Sequence, residues 1–274
     1  MNAFKKNANR FLPTSVLHYL RSGRNSYQRA VQWPAAYLHP WRRESIQKLK
    51  REHNLYAGKR CFVIGNGPSL QQTDISLLRD EYTFGMNRVY LAFQEWGFQT
   101  SFLVSVNDLV IEQCSQDFQR LDIPKYFSWR SRHLLYPQGT PDLKTHFLFT
   151  TYTGPKFAED VSKRLWEGAT VTYVCLQLAF YMGFKKVILV GVDHNFTTQG
   201  RANQTVVSQG EDLNHFNKDY FGKGFRWQLP DLKTSERSYL LAKEAYNNAG
   251  REIVDATVGG SLTVFPKADW VSLF

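Results

Sequence analysis

The sequence predicts an α/β fold, a mainly parallel sheet flanked by helices, with a basic helical arm in front and a lid-like insertion near the end. Three observations carry that expectation. From Lys59 onward short apolar runs alternate with helical stretches, a glycine turn closes the first run, and polar residues follow several of the others. The composition permits such a fold: 274 residues that are 43% hydrophobic and 15% aromatic can bury a sizeable core and do not read as a disordered chain.

In chain order, residues 1–57 form the basic amphipathic arm and 58–274 the main domain. Thirteen Lys or Arg stand against only Glu44 and Glu52 in residues 1–60, whereas the rest of the chain holds 21 bases and 22 acids. The formal charge of +10 therefore belongs to the arm, and the body lacks the electrostatic footprint of a nucleic-acid-binding domain. Within the arm, bases interleave with Phe4, Phe11, Val16, Leu20, Trp33 and Trp41. Such a mixture suits peripheral contact with a membrane. It equally suits packing on the body or on a second copy in a homo-oligomer.

The apolar runs predict strands near 60–65, 82–86, 101–106, 125–128, 145–150, 186–191 and 252–255. Residues 169–182 and 234–249 read as helices. The second ends at Asn248-Ala249-Gly250, a glycine stop leading into the last strand. Residues 197–232 are rich in Gly, Asn and Gln and read as a long loop or small lid, and loops of that length in a compact domain are usually functional. No run is apolar and long enough for a transmembrane helix. Cys61, Cys114 and Cys175 are odd in number and widely spaced, which points to neither a disulfide framework nor a zinc site. A reducing cytoplasmic setting follows, with the arm able to hold the protein at the inner face of the membrane.

Ligands of an open parallel sheet bind beyond the carboxyl ends of its strands, so those positions are the ones to inspect. The first strand runs into Gly65-Asn66-Gly67-Pro68-Ser69, where glycines let the backbone approach a phosphate and Ser69 can donate to it. This turn is neither the dinucleotide fingerprint, lacking a third glycine, nor a P-loop, lacking Gly-Lys-Ser/Thr. Locally it also reads as a tight connection. The second strand ends at Asn87, the third at Asn107-Asp108 and the 186–191 strand at Asp193-His194-Asn195. Asn87 and Asp108 also suit helix N-caps, but polar residues recurring at strand ends favour a Rossmann-like nucleotide site. His215 and His194 are candidate general bases. Arg201, Lys218, Lys223 and Arg226 are placed to fold over a diphosphate.

These motifs, in order, are Gly65-Asn-Gly-Pro-Ser-Leu70, Asn87, the Thr170–Met182 helix, Gly183-Phe-Lys-Lys with Val-Ile-Leu-Val-Gly191-Val-Asp193, and Asn214-His215-Phe216. Together, over about residues 58–266, they resemble bacterial sialyltransferases that use CMP-sialic acid, motility accessory factor proteins and archaeal-type 6-hydroxymethylpterin diphosphokinases. The sialyltransferase resemblance implies Asn66 and Asn87 against the nucleotide, Thr170 and Thr172 near its base and ribose, and His215 as the base that deprotonates an acceptor hydroxyl. Where those enzymes carry two tyrosines after the Gly-x-Asp strand, this chain has Asn195 and Arg201, and an arginine can neutralise a departing phosphate.

The expected activity is therefore a glycosyltransferase without a cofactor. It would move a sugar from a nucleotide-activated, CMP-linked donor to a glycan or lipid-linked acceptor of a cell surface. Its nucleotide site would comprise Gly65, Asn66, Gly67, Ser69, Asn87, Asp108, Thr170, Thr172 and Asp193, with His215, Arg201 and Asn195 catalytic. The diphosphokinase resemblance implies instead ATP and Mg2+ held by Asp108 and Asp193. A non-catalytic nucleotide-binding module is the third reading.

Overall fold

A computed structural model describes residues 14–197 and 200–274; the first thirteen residues of the arm and two residues of the expected lid lie outside that description. Seven parallel strands form one sheet. In chain order they are β1 (Arg60–Ile64), β2 (Thr83–Met86), β3 (Phe102–Ser105), β4 (Lys125–Ser128), β5 (Thr145–Leu148), β8 (Lys186–Val190) and β11 (Glu252–Asp255). All seven coincide with apolar runs read from the sequence. The sequence reading did not contain two small pairs, β6 (Thr150–Thr151) with β7 (Leu165–Trp166), and β9 (Thr205–Val207) antiparallel to β10 (Arg226–Gln228). The second pair gives the lid region a hairpin of its own.

The sheet order is β11-β8-β1-β2-β3-β4-β5. The chain winds outward from β1 to β5 and then returns to the other side of β1, so the winding direction reverses between β1 and β8. Both faces of the sheet are covered, which is why its central strands are apolar throughout rather than alternating. Phe62, Ile64, Ile188 and Val190 enter one core cluster, and Cys61, Val63, Val187 and Leu189 the other.

Five longer helices complete the layers: α1 (Thr14–Leu38), α2 (Pro40–Glu52), α3 (Asp108–Arg120), α4 (Val171–Tyr181) and α5 (Leu232–Asn248). α4 is apolar on every side and buried accordingly, and the expected helices 169–182 and 234–249 are α4 and α5 with slightly shorter bounds. α3 was not anticipated. Its N-cap is Asn107, whose side chain accepts from the amides of Leu109 and Val110, so Asp108 does not take the capping role that suited it; Asn87 does not either, since the turn Val89–Ala92 that follows it is preceded by Arg88 at the cap position.

α2 covers the β5 edge. Ser45 Oγ accepts from the Phe147 amide at 2.9 Å, and Lys48 Nζ donates to the Thr145 carbonyl at 3.3 Å, which blunts an otherwise open edge. Arg42 of the same helix is fully buried, with its guanidinium donating to the Ser162 carbonyl at 2.7 Å. Burial lowers its pKa to about 10. One of the arm's charges is thus part of the core. Among the described residues no helix is long and apolar enough to cross a membrane.

Candidate functional site

A cleft of about 1150 Å³ opens beyond the carboxyl ends of the strands, at the β1/β8 reversal. That is where doubly wound sheets place their ligands, because loops from adjacent strands diverge there. Gly65, Asn66, Gly67, Asn87, Asp108, Thr170, Thr172, Asp193, Asn195, Arg201 and His215 all line it. Ser69 does not.

The β1 turn is locked rather than open. The Gly65 amide donates to the Val190 carbonyl at 2.7 Å and the Gly67 amide to the Gly191 carbonyl at 2.9 Å. Asp193 takes the next two donors, the Ser69 amide at 3.1 Å and the Ser69 hydroxyl at 2.7 Å. Both glycines are required by this closeness, since a Cβ on Gly65 would lie 2.0 Å from the Gly191 oxygen and one on Gly67 1.7 Å from Asp193 Oδ2. In this structure the Gly65, Gly67 and Ser69 donors expected at a phosphate tie the β1 loop to the β8 loop.

Asn66 lines the cleft between the two glycines. Its side-chain nitrogen donates to the Met86 carbonyl at 3.1 Å, while Oδ1, in a side chain only 8% exposed, has no partner among the described residues. A buried unsatisfied acceptor of this kind is a ligand-contact candidate. Beside it, Asn87 adopts a left-handed φ of 50° and accepts from the Ser105 hydroxyl at 3.0 Å. Ala169, His194 and Asn203 are also left-handed and also line the cleft, which gathers backbone strain around it. Ala169 leads into Thr170, which caps α4 by accepting from the Thr172 amide at 3.3 Å. The positive end of the α4 dipole therefore lies in the cleft wall.

His215 is held from two directions. Its Nδ1 is 2.7 Å from Asp212 Oδ2, and an ionised carboxylate only accepts, so Nδ1 is the donor and, in the neutral imidazole, the lone pair lies on Nε2. Asp212 is itself fixed, accepting from the Asn214 amide at 2.8 Å and the Phe221 amide at 3.1 Å. The imidazole stacks on buried Tyr220 with ring centres 4.0 Å apart, and burial pushes the Tyr220 phenol well above its usual pKa. Neighbouring Phe216 is clamped to the β1 turn: its amide donates to the Asn66 carbonyl at 2.9 Å, and its carbonyl accepts from Gln71 at 2.6 Å. The residue next to His215 is thus tethered to the β1 turn. Asp212 escaped sequence reading although it stands three residues before His215, because Asp-x-x-His spacing does not reveal burial.

His194 lines the cleft too, but through Nε2 it pairs with Glu236 on α5 at 3.0 Å. Of the four lid bases only Arg201 lines the cleft, and no carboxylate pairs with it among the described residues. Lys218 lies 3.8 Å from Glu211, and Arg226 lies 3.0 Å from Glu112. Lys223, like them, is not part of the lining.

The deep end of the cleft holds an unanticipated cluster. Arg130 donates to Asp108 at 2.8 Å, to Thr150 at 2.9 Å, to the Val106 carbonyl at 2.7 Å and to Glu167. Burial alone would lower the Arg130 pKa, but Glu167 and Asp108 raise it above its ordinary value. Asp108 also accepts from Ser131. With Asp108 and Asp193 each engaged by protein donors, they do not fit a magnesium site as they stand. Among the described residues no group of three or more His, Cys, Asp or Glu is arranged to hold a metal ion.

This fold defines a Rossmann-like α/β protein with a cleft at a topological switch point. Residues 37–199 match the family described as 6-hydroxymethylpterin diphosphokinase MptE-like, and the chain belongs to that family. The match starts earlier than the motifs implied, at the end of α1, and stops before the loop that carries Asp212 and His215. Among solved structures, MAf glycosyltransferase from Magnetospirillum magneticum AMB-1 shares the fold with a TM-score of 0.50 and 16% identity. The alignment covers 93% of this chain and 42% of that one, so this chain spans less than half the length of that protein. A mammalian sialyltransferase in complex with Gal-beta-1-3GalNAc-ortho-nitrophenol aligns with a TM-score of 0.37 and 12% identity over 78% of this chain and 79% of its own. No curated protein matches the chain in sequence. The family and the MAf fold bear out the resemblance read from the ordered motifs.

Proposed function

We propose that the cleft binds a CMP-activated sugar and transfers the sugar to a hydroxyl of a glycan or lipid-linked acceptor. The carrying observation is the Asp212–His215 pair, which sets an imidazole with a bare Nε2 into a cleft at the switch point. Nε2 takes the acceptor proton as the acceptor oxygen bonds to the anomeric carbon. The bond from that carbon to the phosphate oxygen breaks, and its electron pair leaves with the nucleotide. The α4 N-terminus and Arg201 stabilise the charge that develops on the departing phosphate. Asn66 and Asn87 lie against the nucleotide from the cleft wall, and Asp212 keeps the imidazole in the productive tautomer.

The family description favours a second reading, diphosphoryl transfer from ATP to a pterin alcohol. That chemistry leans on a divalent cation bridging the phosphates. Calorimetric titration with CMP, CTP, AMP and ATP, with and without magnesium, separates the two. Cytidine nucleotides binding equally well without metal support sugar transfer. ATP binding only with magnesium overturns it in favour of the diphosphokinase. Cytidine binding with no turnover of any CMP-activated sugar overturns catalysis and leaves a nucleotide-binding module.

A further inference from the structure

The exposed face of α1 has no counterpart in the chemistry of the cleft. Val16, Leu20, Tyr27, Val31 and Leu38 are 39%, 58%, 71%, 61% and 70% exposed. Their spacings of four, seven, four and seven residues put them on one helix face, where exposed Gly23, Ala30 and Pro34 fill the gaps. Val16, Tyr27 and Leu38 recur every eleven residues, as do Leu20 and Val31. An eleven-residue spacing corresponds to about 3.67 residues per turn, close to the 3.6 of a straight helix. The stripe therefore runs almost along the axis, a spacing that suits a flat surface and equally a slightly right-handed helix pair.

Charge selects between these partners. α1 contains Arg21, Arg24 and Arg29 and no Asp or Glu, and α2 adds exposed Arg43, Lys50 and Arg51. A second copy of α1 carries the same charge and no acid, so it offers no charge complementarity to this helix. An anionic lipid surface supplies that counter-charge and accepts the apolar stripe.

We infer that α1 lies on an anionic membrane surface with its Val16–Leu38 stripe in the headgroup region. Arg24 and Gln32 of this helix line the cleft, so docking sets the cleft mouth at the lipid boundary. A substrate with a lipid anchor then reaches the site without leaving the bilayer. Docking is independent of which nucleotide the cleft binds.

The test is co-sedimentation of the full chain with vesicles of phosphatidylcholine alone and of phosphatidylcholine with phosphatidylglycerol. The protein is expected to pellet with the anionic vesicles only, and to release at high salt. Leu20→Glu with Val31→Glu is expected to lower the partition coefficient by about a hundredfold, with the thermal unfolding midpoint and nucleotide titration unchanged. Absence of binding to the anionic vesicles, or unchanged binding by the double variant, overturns the inference. So does sedimentation equilibrium showing a dimer that the same double variant converts to monomer, which would assign the stripe to a second copy.

Discussion

Two histidines line the same cleft, each with a carboxylate at hydrogen-bond distance, and they are built for different work. His194 meets Glu236 through Nε2 at 3.0 Å, and that glutamate side chain is 53% exposed and free to turn into solvent. His215 meets Asp212 through Nδ1 at 2.7 Å, and that aspartate side chain is 4% exposed and held by two backbone amides. A carboxylate that is itself immobile fixes the tautomer and direction of its histidine. An exposed one ties a strained loop to a helix, which is what His194, with a left-handed φ of 55°, needs. Residue types alone do not separate the two cases; the burial of the partner does.

Substituting each histidine tests this contrast. His215→Ala is expected to slow acceptor-dependent CMP release from a CMP-activated sugar by about a thousandfold, the usual range for loss of a general base. His194→Ala is expected to slow it less than about tenfold; comparable losses would erase the distinction. Asp212→Asn is expected to lower kcat by about a hundredfold with little change in KM, because it disturbs the tautomer and leaves the contacts to substrate in place.

Smaller effects belong to the parts that carry the site. Gly67→Ala forces a Cβ against Asp193 and is expected to lower the unfolding free energy by about 2 kcal/mol in urea titrations. His39 provides a purely structural reference. Its Nδ1 accepts from the Trp41 amide at 3.2 Å and caps α2. Burial lowers its pKa below the usual 6.5, with Arg132 and His133 adding to the effect. The folded chain therefore binds this proton less readily than the unfolded chain. The stability His39 contributes is present above the ordinary imidazole range and declines as pH falls below it. His39→Asn keeps a capping acceptor without the titration. It is expected to unfold like the parent near neutral pH and to be more stable than the parent at about pH 5, read from urea titrations at the two pH values.

The sheet was legible because its signal is local. Each of the seven strands is a short apolar run between turn residues, and α4 and α5 carry helical length and a glycine stop. The cleft was legible at the level of strand ends, where Asn66, Asn87, Asp108 and Asp193 announce themselves by position. What those residues do was not legible, because their partners are remote. Ser69 bonds to Asp193 across 124 residues, and Arg130 reaches Asp108 and Glu167 across 22 and 37. Counting Arg42 among the arm's charges misses its burial for the same reason, since the carbonyl it serves belongs to Ser162.

Nitrogen-15 NMR of the imidazoles during titration with CMP tests the central claim most directly, that Asp212 aims an unprotonated His215 Nε2 into a nucleotide cleft. The expected result is a neutral His215 imidazole that carries its proton on Nδ1 and whose resonances move on CMP binding while those of His39 stay fixed. An Nε2-protonated His215, or resonances that do not respond to saturating cytidine nucleotide, would contradict it.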